Sequence, residues 1–76
     1  MLSSRDRYQG VVADFDVTRG CGTIEVETGE RVFVRYSAIR GDGLRSLQRG
    51  DRVSFGVEHG PRGLNAIHVI RYQTVP

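Results

Sequence analysis

Seventy-six residues with eleven basic side chains, nine acidic ones and a single cysteine describe one small domain that no internal disulfide can staple. At this length folding buries roughly 60% of the chain's surface, so the core is small. No apolar run approaches the ~20 residues of a membrane span, the head Met1-Leu2-Ser3-Ser4-Arg5 lacks the apolar stretch of a secretion signal, and two histidines with one cysteine make a poor zinc site; the expectation is a cytoplasmic protein without a metal or other cofactor.

Glycines fall at 10, 20, 29, 41, 50 and 60, close to every ten residues, between short segments rich in Val, Ile, Phe and Thr. Turn signals at that spacing fit an all-β sandwich or barrel. The first strand is expected over about Tyr8 to Phe15, the second over Cys21 to Glu27, and the third over Arg31 to Arg35. Glu27-Thr28-Gly29-Glu30 supplies the hairpin turn between the second and third. A single helical turn is expected at Ser37-Ala38-Ile39, with Ser37 as cap, and Arg40 to Gly50 is the one long connection, most flexible at Gly41-Asp42-Gly43. The fourth strand is expected over about Asp51 to His59 and the fifth over Asn65 to Tyr72, joined by Gly60-Pro61-Arg62-Gly63.

Alternation sorts the faces. Val32 and Val34 share one side of the third strand, Ile24 and Val26 one side of the second, and Val53, Phe55 and Val57 one side of the fourth, with Gly56 outward. Val12, Ile39, Leu47, Ile67 and Val69 complete the expected core. Five antiparallel strands with one buried face close on themselves, because closure removes exposed edges; a small five-stranded barrel is the economical architecture. The whole chain, 1–76, is expected to form this one domain, with 1–8 as an extension, 9–72 as the barrel and 73–76 as a tail.

If Val32 and Val34 are buried, Phe33 points outward between Arg31 and Arg35, with Tyr36 at the strand end. A ring placed outward between two cations suits a stacking platform for nucleobases with phosphate contacts beside it. Phe33 equally suits a cover for a neighbouring strand, and Arg31 and Arg35 suit ion pairs with Glu25 and Glu30 across the hairpin. All eleven cations are arginine, which binds phosphate bidentately and stacks on rings, but the interspersed acids make a mixed surface, and codon composition alone gives the same bias. Arg19-Gly20-Cys21-Gly22-Thr23 has the glycine spacing and basic start of the first ribonucleoprotein motif; glycines that merely let a strand bend look the same.

The run of anchors Gly10-Val11-Val12, Phe15, Arg19-Gly20, Gly22, Ile24, Val32-Phe33-Val34, Ser37-Ala38-Ile39, Asp42-Gly43, Ser46-Leu47, Gly50, Val53-Ser54-Phe55, Gly60-Pro61-Arg62-Gly63 and Ala66 resembles the bacterial cold-shock proteins. The resemblance implies an OB-fold barrel that binds single-stranded RNA or DNA, and a role as RNA chaperone or expression regulator. Carried over position by position, it implies nucleic-acid contacts at Phe15, Arg19, Phe33, Arg35, Tyr36 and Arg62. It also implies losses. The family usually has Lys-Trp-Phe where this chain has Ala13-Asp14-Phe15, its two motif phenylalanines are Cys21 and Thr23 here, a histidine is Arg35, and a loop aromatic is Leu44. Each stacked base is worth about 1–3 kcal/mol, so the missing rings predict weak, salt-dependent binding, micromolar or weaker.

Other chemistries find less support. Cys21 between glycines has the look of a nucleophile, with His59 or His68 as base, but the strand positions give no reason to bring them together. Asp14 and Asp16 lack a third ligand, and a phosphate-binding loop needs a lysine that the chain does not contain. The expectation is a protein that binds and does not catalyse. The competing expectation is a barrel that has lost its stacking face and uses Asp14, Cys21, Thr23 and Leu44 as a patch for a protein partner or a second copy.

Overall fold

The computed structural model describes residues 5–40 and 47–72; Gly41-Asp42-Gly43 and Leu44 of the long connection, and the tail from Gln73, lie outside the described residues. The strands are β1 (Tyr8–Asp16), β2 (Cys21–Val26), β3 (Arg31–Arg35), β4 (Ile39–Arg40), β5 (Arg52–Gly60) and β6 (Gly63–Arg71). Five of them match the expected strands to within two residues at each end, and β4 is a two-residue addition. No helix among the described residues is long and apolar enough to cross a membrane.

Period-two alternation puts one face of each strand inside. Val12, Ile24, Val26, Val32, Val34, Val53, Phe55, Val57 and Val69 are each no more than 2% exposed, and Ile39, Leu47 and Ala66 close the same cluster. β1, β2 and β3 form an antiparallel meander, and β5 pairs with β1 on its other edge. The barrel closes in parallel, not antiparallel, through β3 and β6 at Phe33 and Asn65, with β4 also parallel to β6. The chain between β3 and β6 is long enough for the crossover that parallel pairing requires.

Two turns follow their glycines. Gly29 takes a φ of +95° where the Gly29 N–H reaches the Val26 carbonyl at 2.8 Å, and Gly63 takes +130° opposite Gly60 in the β5–β6 hairpin. The helical turn is a 3-10 turn at Tyr36–Ala38, one residue earlier than expected. Ser37 therefore lies inside it and does not cap; Arg35 holds the cap position with no side-chain hydrogen bond.

Simple alternation fails on β6. Val57 pairs with Ala66 and Gly56 with Ile67, but Ser54 pairs with Ile70, so one extra residue is accommodated opposite Phe55. His68 sits in this bulge with a φ of +49°, a left-handed conformation that costs a non-glycine residue energy. The Arg7 guanidinium spans the irregularity, donating to Ser54 Oγ at 3.0 Å and to the His68 carbonyl at 2.9 Å. The inward positions become Ala66 and Val69 in place of Ile67 and Val69. Ile67 lies half-buried over the outward side of Gly56 and so covers it; a Cβ there would meet Ile67 Cγ1 at 3.2 Å.

Candidate nucleic-acid interface

Buried Val32 and Val34 leave Phe33 no inward direction. Its ring is 46% exposed on the outer face of β3, with exposed Arg31 and Arg35 on either side. It also serves in part as a cover: a Cβ at Gly63 would lie 3.7 Å from Phe33 Cε2, so the ring leans towards the β5–β6 hairpin. Arg62 precedes Gly63 at the tip of that hairpin and is exposed.

Pairing across β1, β2 and β3 fixes what surrounds Phe33. Asp14, Thr23 and Phe33 form one row, and Asp16, Cys21 and Arg35 the next. Glu25 and Arg31 lie opposite each other in a third row and make an exposed ion pair at 3.6 Å. Such a pair is worth about 0–1 kcal/mol. Arg35 makes no ion pair with Glu30; neither its guanidinium nor those of Arg19 and Arg62 has a hydrogen-bonding or ionic partner among the described residues.

Asp16 is committed to a turn. Its Oδ1 accepts the N–H groups of Thr18 at 2.9 Å and Arg19 at 3.2 Å, which makes it the organiser of the turn that presents Arg19. Asp14, in contrast, is exposed and makes no side-chain hydrogen bond or ion pair among the described residues.

Gly20 and Gly22 both bend and approach. Gly20 has a φ of +71°, and a Cβ on it would sit 3.0 Å from the Tyr36 ring, whose backbone N–H reaches the Gly20 carbonyl at 2.8 Å. Tyr36 is held there beside Arg19 and is 55% exposed. At Gly22 a Cβ would run into the Asp14 carbonyl oxygen and come within 2.6 Å of Phe15 Cα, so only glycine lets β1 curl so closely over β2. Phe15, paired with Gly22, is half-buried and packs against the core.

Two features near the ring have no local sequence signal. Asn65 stands beside Phe33 because of the parallel closure, whose register no hairpin or alternation pattern encodes. A groove of about 600 Å³ continues from Phe33 past Arg35, Arg40, His59 and His68, and an Arg40 Nη2 lies 3.3 Å from His68 Nδ1. A second groove, about 970 Å³, runs from Val11 and Glu25, in the row next to Asp14 and Thr23, to Arg52 and Tyr72. Cys21 faces Arg35, and among the described residues no three His, Cys, Asp or Glu side chains cluster as a metal site would need.

The profile of the family described as the 'Cold-shock' DNA-binding domain matches residues 8–72. The chain is 51% identical over 61 residues to the cold shock protein CspC of Bacillus subtilis (strain 168), covering 80% of this chain and 92% of that one. It is 52% identical over 62 residues to the cold shock-like protein CspE of Bacillus anthracis, covering 82% and 92%. Among solved structures, the drosophila Unr CSD456 superposes with a TM-score of 0.73 at 23% identity over 90% of this chain, which spans 27% of that longer protein. At that identity the last match is a likeness of fold alone.

Proposed function

The chain belongs to the cold-shock domain family, and from that membership we propose that it binds unpaired RNA or DNA across the outer face of β1, β2 and β3. Phe33 and Tyr36 stack bases, the half-buried Phe15 borders the path, and Arg19, Arg35 and Arg62 contact phosphate or sugar. In the cytoplasm such a module acts as a chaperone for RNA or a regulator of expression: it holds transiently open strands and so melts weak structure, without a catalytic step.

The observation that carries this proposal is Phe33, a large ring left half in solvent between two arginines while both its chain neighbours are buried. Nothing in packing requires that much apolar surface to stay wet. Thr23 and Cys21, in place of rings on the adjacent strand, leave few stacking partners, so affinity rests more on charge than on aromatic contact. Three phosphate contacts on a single strand give a slope of about −2 for log K against log salt.

The test is a titration with short pyrimidine-rich single strands at low and moderate salt, with wild type and Phe33→Ala. The expected result is binding that weakens as salt rises, and weakens again in a Phe33→Ala barrel that remains folded. Absence of binding even at low salt would contradict the proposal and favour a protein partner.

A further inference from the structure

Asp14 is the feature of this face that nucleic-acid binding by charge and stacking does not explain, since an exposed carboxylate in the middle of the path repels phosphate. Its position is tightly built. The β1–β2 register slips by one residue between Val12 and Asp14, which leaves Ala13 as the extra residue of a bulge. Bulges re-aim side chains, and this one puts Asp14 on the outer face in line with Thr23 and Phe33. The bulge is pinned from both sides: Arg49 Nε donates to the Ala13 carbonyl at 3.2 Å, and the Asp14 carbonyl packs against Gly22 where no side chain fits. The backbone that carries the carboxylate is therefore fixed before any ligand arrives, and its oxygens have no hydrogen-bonding or ionic partner among the described residues.

With adjacent strands about 4.8 Å apart, Asp14 lies roughly 10 Å across the sheet from Phe33. A single strand with one base on Phe33 and running towards β1 puts the next base over Thr23 and Asp14, where there is no ring to stack on. What the surface offers that base is hydrogen bonding to its edge: a hydroxyl and an ionised, acceptor-only carboxylate. Guanine is the base whose Watson–Crick edge carries two adjacent donors, N1–H and the N2 amino group, and so matches a carboxylate bidentately. Cytosine and adenine pair one amino group with a ring acceptor. Thymine and uracil flank one N–H with two carbonyls, which the carboxylate repels.

We propose that Asp14 reads guanine beside the base held on Phe33, which makes this face selective for guanine-containing single strands. The proposal rests on the strand path given under the proposed function. It is tested by fluorescence anisotropy of the full chain with short thymidine strands that carry guanine, hypoxanthine or thymine at one central position. Hypoxanthine is guanine without the N2 amino group, so the guanine-to-hypoxanthine ratio isolates one hydrogen bond to Asp14 from all phosphate effects. Wild type is expected to favour guanine over hypoxanthine by about five- to tenfold, the lower end of what a good edge contact discriminates. In Asp14→Asn and in Asp14→Ala that ratio falls to about one, while binding of the all-thymine strand holds or strengthens because the repulsive charge is gone. Equal affinity of wild type for guanine and hypoxanthine, or a ratio that survives in both variants, overturns the role of Asp14 and leaves single-strand binding standing. Failure of wild type to bind any of the three strands at low salt overturns both.

Discussion

Two grooves formed by the described residues expose about the same kind of apolar material. The larger one shows Val11 and Tyr72, 42% and 44% exposed, and the smaller one shows Phe33 at 46%. Their charges differ. The larger is lined by Glu25, Glu27 and Asp51 against the single cation Arg52, whereas the smaller is lined by Arg35 and Arg40 against the single carboxylate Glu58. For a polyanion the sign of the lining outweighs the size of the cleft, because a groove lined by one sign focuses potential and raises the local concentration of the opposite charge.

Both grooves are walls of one core, so the largest effect should erase the difference between them. Phe55, wholly buried, loses about 3–5 kcal/mol on replacement by alanine, a large share of what a small domain holds in reserve; a urea titration of Phe55→Ala should show a barrel folded marginally or not at all. Next in size, Phe33→Ala should weaken binding of a pyrimidine-rich strand by about 1–3 kcal/mol, while Tyr72→Ala in the other groove leaves it unchanged within error. Equal losses in the two variants would dissolve the distinction. Arg35→Gln should make the salt dependence shallower by about 0.7 in log–log slope, as one phosphate contact is lost. The smallest effect belongs to the pair that joins the two regions. Glu25 lines the acidic groove and holds Arg31 beside Phe33; Glu25→Gln should shift stability by less than about 1 kcal/mol and raise nucleic-acid affinity by no more than about fivefold.

What the sequence made legible follows the physics of each element. Hairpin strands with one buried face announce themselves by alternation, and β1, β2 and β3 came out with Phe33 outward as Val32 and Val34 require. Glycine at the turns was equally plain, since a positive φ at Gly29 and Gly63 needs it. The β5–β6 register was not legible. A bulge with His68 in a left-handed conformation moved Ala66 into the core and Ile67 onto Gly56, and nothing local in Ile67-His68-Val69 signals it. Closure was hidden for the same reason: the Phe33–Asn65 bridge joins residues far apart in the chain, in parallel. At the candidate site, residue types could be read but their commitments could not. Asp16 is occupied in a turn and Arg31 in an ion pair, while Arg19, Arg35 and Asp14 are left available, a division that only coordinates reveal.

The most direct measurement is a titration of the labelled chain with a pyrimidine-rich single strand at low salt, followed by backbone amide chemical shifts. The account predicts shifts centred on Thr23, Phe33, Arg35, Tyr36 and the Arg62 hairpin, with Gln9, Val11, Glu27 and Tyr72 unmoved. Shifts clustered around Val11 and Tyr72, with the Phe33 row silent, would contradict it.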